Sequence, residues 1–133
     1  MRRLLLLFGF MLLTALPAWA ALPPLDDAER QASSNLIVRG EIVSVKSQKK
    51  RIRWGFSDLE MILTIRVSEC TKGGLQPGST VMVQCWIAED RPDGWVGDGG
   101  QRPRPREGAK GVFYAQEKAG KLHLLHPNGW DSE

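Results

Sequence analysis

Cysteine and histidine are scarce in this 133-residue chain, which holds two of each. Cys70 and Cys85 are too far apart to form a Cys-x-x-Cys redox motif, and a metal site would need further ligands. His123 and His126 are three positions apart, so on a strand they would point to opposite faces and could not easily share a metal ion. We therefore expect neither redox catalysis nor a histidine metal site.

Other signatures of chemistry are missing as well. No serine lies in a Gly-x-Ser-x-Gly elbow, no glycine-rich phosphate loop precedes a helix, and no spacing singles out a pair of carboxylates. The acidic residues Asp90, Asp93 and Asp98 lack the ligand spacing and the terminal glutamate of the known calcium loop. These absences predict a protein that is not an enzyme and that carries no metal and no cofactor.

Long apolar runs are absent except near the start. Arg2 and Arg3 precede an apolar run over residues 4–13, and Ala18-Trp19-Ala20 forms a small-x-small cleavage site. The run is shorter than the ~20 residues a spanning helix needs. The pattern predicts a signal peptide over residues 1–20, a secreted or periplasmic location, and no stable membrane anchor after cleavage.

The mature chain would have little excess charge. Removing Arg2 and Arg3 from the 18 basic residues leaves 16 against 15 acidic side chains, a net charge of +1. A surface built throughout for nucleic acid is therefore not expected, although local basic patches remain possible.

The stretch from Asp58 to Ala88 predicts a β-hairpin. Apolar residues recur at every second position in its first half, and after a turn rich in glycine and proline the alternation resumes with Val81, Val83 and Cys85. The order Val67-Ser68-Glu69-Cys70 breaks the alternation and predicts a bulge near Ser68 or Glu69.

The rest of the chain is expected to form the elements that cover the apolar face of this hairpin. Residues 21–34 form an N-terminal segment with a short helix, and residues 36–45 form a first strand that Gly40 bends so that it can pair with two neighbours. Residues 89–108 form a long loop, either functional or pinned by Trp95 and Val96. Strands follow at 111–116 and 122–125, and residues 127–133 form a tail. The fold class is therefore all-β, a small five-stranded Greek-key barrel of the oligonucleotide/oligosaccharide-binding type over residues 35–126.

Four segments resemble the strand signatures of bacterial secreted domains that are similar to netrin-like modules and to tissue inhibitors of metalloproteinases. They are Val38-Arg39-Gly40-Glu41-Ile42-Val43-Ser44-Val45, Val67-Ser68-Glu69-Cys70-Thr71-Lys72-Gly73, Pro77-Gly78-Ser79-Thr80-Val81, and Gly108 with Gly111-Val112-Phe113-Tyr114. The inhibitors act through a cysteine at the mature N-terminus. The expected mature N-terminus here is Ala21, so the resemblance does not imply protease inhibition by that route.

The two cysteines are expected to form a disulfide. Their positions average to 77.5, between Pro77 and Gly78, so a hairpin that turns there would bring them together, and an oxidising compartment would favour the bond. The alternative is two buried reduced thiols that act as small hydrophobic residues.

Two hypotheses for function remain. In the first, the barrel is a protein-interaction or accessory module of the cell envelope, with Trp54, Trp95 and Trp130 as exposed anchors. In the second, it binds an anionic polymer, a polysaccharide or a nucleic acid, through basic loops 46–54 and 101–107. The residues proposed for that cleft are Lys49, Lys50, Arg51, Arg53, Trp54, Arg102, Arg104 and Arg106. For the first basic loop, the composition favours a solvated hairpin loop whose aromatic residues fold back on the end of the barrel.

Overall fold

The structure is a computed structural model that describes residues 22–133; the expected signal peptide lies outside the described residues. Within these described residues, one helix and six strands follow each other: α1 (Asp27–Ser33), β1 (Leu36–Arg51), β2 (Ser57–Lys72), β3 (Thr80–Glu89), β4 (Lys110–Lys118), β5 (Lys121–Leu124) and β6 (Trp130–Ser132). A single 3-10 turn, Arg53–Gly55, joins β1 to β2.

Five of the strands close into a barrel. The order along the sheet is β1-β2-β3-β5-β4, and β1 pairs again with β4 to close the ring. All neighbours are antiparallel except β3 and β5, which run parallel and are joined by the pair Gln84 and His123. The prediction of a mostly β chain with a five-stranded barrel and a short N-terminal helix is confirmed at this level. The expected tail, however, contains β6, a sixth strand that pairs antiparallel with β4.

Gly40 allows β1 to pair with two neighbouring strands at the same position. It lies opposite Val67 of β2 on one side and Gly111 of β4 on the other, and the register of β1 on β2 shifts next to it. A Cβ at this position would come within 2.3 Å of the carbonyl oxygen of Arg66. The predicted pairing of this strand with two neighbours is therefore confirmed, and the glycine is needed because two backbones approach each other closely there.

The alternating face of β2 fills the barrel interior. Met61, Leu63, Ile65 and Val67 are all buried, and the residues between them face outward. The consecutive residues Arg39 and Gly40 of β1 pair with Glu69 and Val67 of β2. Ser68 therefore has no partner on β1 and is the extra residue of a bulge. The predicted bulge is confirmed.

The first strand is longer than expected. Residues 46–51 continue β1 and pair with β2 as far as Arg51 opposite Ser57, so most of the predicted basic loop 46–54 is strand. A run of polar and basic residues shows no apolar alternation, and this is why the strand could not be seen in the sequence. The prediction of a loop there was wrong for all but its last residues.

The predicted disulfide is also wrong, since both cysteines are free. Cys85 lies opposite Met61, nine positions before Cys70 on β2, which is about 30 Å along the strand. Paired residues such as Ile65 and Val81 average to position 73, not 77.5. The turn is displaced because the end of β2, including Cys70, pairs with β1 alone. The bulge therefore exists without the bridge.

Within residues 22–133, no helix is long and apolar enough to cross a membrane. In the same part of the chain, no group of three or more histidine, cysteine, aspartate or glutamate side chains is placed to hold a metal ion.

Candidate functional site

The tip of the β1–β2 hairpin carries exposed apolar side chains. Ile52 donates its backbone N–H to the carbonyl of Phe56 at 2.8 Å and so closes a short turn. Within that turn Trp54 adopts a left-handed backbone, φ 62°, and its side chain is 73% exposed. A bulky residue in this conformation is uncommon outside turns, and here it directs an indole into solvent.

The long segment after β3 folds back onto the barrel. Ala88 donates to the carbonyl of Gly99 at 2.9 Å, and Gln101 donates to the carbonyl of Trp86 at 2.9 Å. The rings of Trp95 and Phe56 meet edge to face with centroids 5.4 Å apart, whereas Val96 is 82% exposed. Of the two residues predicted to pin this loop, Trp95 contacts the barrel and Val96 faces solvent.

Arg91 ties this loop to the hairpin. Its guanidinium forms an ion pair with Asp58 at 2.5 Å and donates to the carbonyl of Ser57 at 2.6 Å. The same group lies over the rings of Phe56 and Trp95, 5.3 and 5.5 Å from their centroids. Both charged side chains are mostly buried. Arg91 therefore joins two segments more than 30 residues apart and holds their aromatic rings in place.

Between the tip and the loop lies a cavity of about 340 Å³, which we call the aromatic groove. It is lined by Ile52, Arg53, Trp54, Phe56, Asp58, Trp86, Arg91, Trp95 and Asp98. Four of these nine residues are aromatic. A concave site with mostly apolar walls and a few polar groups is typical of ligand and partner binding.

The charges around the aromatic groove are largely neutralised by each other. Asp58 is paired with Arg91, and Asp98 lies 2.5 Å from the ring nitrogen Nε2 of His126. Among the described residues that line the groove, Asp58 and Arg91 form an ion pair, Arg53 forms none, and Asp98 contacts a histidine that is charged only when it is protonated. The groove therefore combines an apolar surface with equal numbers of basic and acidic lining residues, and it has no excess of charge of one sign.

A second cavity of about 640 Å³ lies on the outer face of the barrel and shares Trp86 with the groove. Lys46, Lys50, Lys121 and His123 line it. Lys50 is paired with Glu60 at 3.3 Å, and Glu60 and Asp58 line the same cavity, so its walls carry both signs of charge.

The predicted basic residues do not meet in one of these cavities. Arg102, Arg104 and Arg106 lie on the segment that runs to β4 and line neither cavity. Pro105 on that segment is fully buried, and Arg102 donates its backbone N–H to the carbonyl of Pro127 at 2.9 Å. The proline-rich segment is thus bound to the barrel by its backbone and by Pro105, and its arginines are exposed.

In the other predicted set, Arg51 and Arg53 are exposed at the tip, and Lys49 is bonded to Asp90 at 2.9 Å. That hydrogen bond lowers the pKa of the Asp90 carboxyl and raises the pKa of the Lys49 ammonium group. Both groups are exposed, so the pair is a weak surface contact.

Trp130 is not an exposed anchor. Its side chain is 3% exposed, it stacks on Phe113 with centroids 5.5 Å apart, and its indole N–H donates to the carbonyl of Pro103 at 2.8 Å. Residues 127–133 were expected to form a tail, whereas Trp130 belongs to β6 and its ring is part of the core. The prediction for Trp130 was wrong, and those for Trp54 and Trp95 identify exposed rings that line the groove.

Sequence reasoning missed Phe56, Trp86, Arg91 and His126 as parts of this site. Trp86 could have been found, since the alternation of β3 places an indole on the outward face, where large aromatic residues are unusual. The position of Arg91 depends on how the loop folds back, and no local pattern reports it.

No protein-family model matches the chain, and no curated protein or solved structure is significantly similar to it. The proposals below therefore depend on the geometry of the described residues.

Proposed function

We propose that the chain is an exported, non-enzymatic protein-interaction module of the cell envelope, and that it binds its partner through the aromatic groove. The observation that carries this proposal is the groove itself, in which four aromatic rings line a cavity of about 340 Å³ whose charged groups are mostly paired. Aromatic side chains that are rigid and only partly covered are the usual anchors of protein interfaces.

The type of barrel is part of the same proposal. The strand order, the closure of β1 onto β4 and the parallel contact of β3 with β5 support a barrel of the oligonucleotide/oligosaccharide-binding type. A relationship to the secreted netrin-like and metalloproteinase-inhibitor domains remains a proposal that rests on the sequence resemblance alone. We also propose that the signal peptide directs export.

The groove is preorganised, which favours binding. The Arg91 guanidinium forms three hydrogen bonds and lies over the ring of Phe56, so little ordering of these side chains is needed when a partner binds. Side chains that are already fixed lose less entropy on association. Trp54 lines the same groove, and it is 73% exposed.

An envelope extract passed over the immobilised mature domain tests the proposal. We expect a retained protein that stays bound when the salt concentration is raised to about 0.5 M, because contacts through apolar area are only weakly screened. Trp54→Ala and Trp95→Ala should each abolish retention. Met82→Ala is the matched control, since Met82 is 67% exposed and lines neither cavity. Equal retention by all variants would contradict the groove as the binding site.

The second candidate, binding of an anionic polymer, is favoured by one observation. Lys46, Lys50, Lys121 and His123 line the larger cavity. Lys46→Glu with Lys121→Glu should then abolish retention on an acidic polysaccharide column at low salt, and raising the salt should release the unmodified protein. The groove variants would leave this retention unchanged.

A further inference from the structure

The second half of β1 has a strand neighbour on one side only. From Ser44 to Arg51 it pairs with β2, whereas β4 pairs with β1 only over Leu36–Glu41. The segment before β4 continues this contact as far as Ile42, through two backbone hydrogen bonds of 2.7 and 2.8 Å. All residues from 46 to 51 are exposed. Within residues 22–133, no strand pairs with the second side of this stretch, which we call the open edge.

The turn at the hairpin tip shows which backbone groups point to the open edge. Ile52 donates its backbone N–H to the carbonyl of Phe56, on the β2 side, at 2.8 Å. Backbone groups of successive residues alternate between the two sides of a strand, and the register has no irregularity from residue 44 to 51, so the even-numbered residues bond β2. The N–H and C=O groups of Ser47, Lys49 and Arg51 therefore point away from β2. The open edge spans about 20 Å, which is the length of an average strand.

The side chains along the open edge are strongly basic. The sequence has no acidic residue from 42 to 57 and places four basic residues on this edge: Lys46, Lys49, Lys50 and Arg51. Lys49 and Lys50 are each paired with one acidic residue, whereas Lys46 and Arg51 form no ion pair in the part of the chain that the structure describes. Alternation places two of the four on each face of the sheet. A strand added at this edge would therefore meet positive charge on both of its faces.

We propose that the open edge binds an extended acidic segment of another protein, which joins the sheet as a further strand beside β1. In strand addition of this kind, backbone hydrogen bonds provide affinity and side chains provide selectivity. Glutamate or aspartate opposite a basic residue stabilises a cross-strand pair. None of the residues from 46 to 51 lines the aromatic groove, so this site is separate from the one proposed above.

The charges argue against a second copy of this chain as the added strand. A symmetric antiparallel pair of two open edges, centred on Gln48, would place Lys46 of each copy opposite Lys50 of the other. Like charges that lie directly opposite each other destabilise strand pairing. Lysine on an exposed edge is a common protection against self-association, and the same charges favour an acidic strand.

A labelled synthetic peptide tests strand addition by fluorescence anisotropy. The probe has about eight residues, alternates glutamate and threonine, and has blocked ends. We expect the unmodified protein to bind it at least about tenfold more tightly than a peptide of the same sequence with an N-methyl group on every residue, which keeps the charge but has no backbone donors. Equal binding of the two peptides would show attraction by charge alone and would overturn the proposal, and so would the absence of binding.

Ser47→Pro is the matched variant of the protein. It removes one outward N–H and keeps every basic side chain, and proline is accepted in an edge strand where the N–H faces solvent. We expect it to weaken binding about tenfold, and the double variant Lys46→Gln with Arg51→Gln to do the same. Met82→Ala should bind like the unmodified protein, since Met82 is an exposed residue of β3. Undiminished binding by Ser47→Pro would contradict strand addition.

Amide hydrogen exchange locates the added strand residue by residue. In the protein alone, the amides of Ser47, Lys49 and Arg51 should exchange faster than those of the even-numbered residues between them, which bond β2. A saturating concentration of the peptide should slow the three outward amides about tenfold and leave the even-numbered ones unchanged. Slowing of both sets alike, or of neither, would overturn the proposal. If Ser47→Pro does not fold, this measurement and the N-methylated peptide decide the question on the unmodified protein.

Discussion

Gly40 of β1 lies directly opposite Gly111 of β4, at the point where the barrel closes. A Cβ on Gly40 would come within 2.3 Å of the Arg66 carbonyl oxygen, and one on Gly111 would come within 2.1 Å of the Asp131 carbonyl oxygen. The backbone of a further strand therefore occupies the space that a Cβ would need: β2 does so at Gly40, and β6 does so at Gly111. The closure of the barrel depends on two positions without a side chain.

Gly40→Ala should lower the free energy of unfolding by about 2 kcal/mol or more, because a backbone oxygen cannot move aside as a side chain can. Gly99→Ala serves as control, since no heavy atom lies within 4 Å of its Cβ position, and it should change stability by less than about 0.5 kcal/mol. Urea unfolding measures both. A tolerated Gly40→Ala would contradict the register of β1 between β2 and β4.

Gln101→Leu should destabilise the protein by about 2–4 kcal/mol, because the buried carbonyl of Leu125 and the buried N–H of Gly129 would each lose a partner. Gln76→Leu, in the exposed connection between β2 and β3, should have almost no effect. Thermal and urea unfolding of the two variants provide the comparison. Similar stability in both would show that Gln101 does not join the loop to the segment after β5.

Arg91→Met should cost about 3 kcal/mol, since it leaves the mostly buried carboxylate of Asp58 without its partner. Adding Asp58→Asn to that variant should restore part of the loss. In contrast, Arg66→Met removes an ion pair with Glu41 in which the arginine side chain is 57% and the glutamate side chain 32% exposed, and should cost less than about 1 kcal/mol. If the double variant is no more stable than Arg91→Met alone, the ion pair does not account for the effect.

The two thiols should react at very different rates with an alkylating reagent. Burial raises the pKa of the Cys85 thiol to about 12, so little of it is thiolate at pH 8, and its labelling rate should rise about tenfold for each pH unit up to that value. Rapid labelling at pH 8 should therefore occur at Cys70 and be absent in Cys70→Ser. Mass spectrometry of tryptic peptides assigns the sites.

Because both cysteines are free, a reducing agent should leave the melting temperature unchanged. A lower melting temperature with reductant, or a linked Cys70–Cys85 peptide, would contradict the separation of about 30 Å along β2.

The candidate site was only partly predictable. The exposed Trp54 and Trp95 stood out in the sequence as aromatic residues among glycine, arginine and aspartate, and both line the groove. Their partners Arg91 and Asp98 belong to a segment with no hydrophobic period, and its course is set by hydrogen bonds to β3 that local sequence does not reveal. The sequence also made Trp130 look like its exposed counterparts, although β6 buries it.

By itself, the sequence determined what depends on neighbours along the chain. The alternation of Met61, Leu63 and Ile65 defines the buried face of β2, the break after Val67 requires a bulge, and the glycine in β1 requires a bend, because side-chain direction and backbone sterics are local properties. Only the tertiary structure decided which residues lie opposite each other. A hairpin centred on position 73 instead of 77.5 separates the cysteines, and the pairing of β1 with β4, the position of β6 and the aromatic groove all join residues that are distant in sequence. Such pairings are chosen by the total burial and hydrogen bonding of the whole barrel, and these quantities exist only after the strands have met.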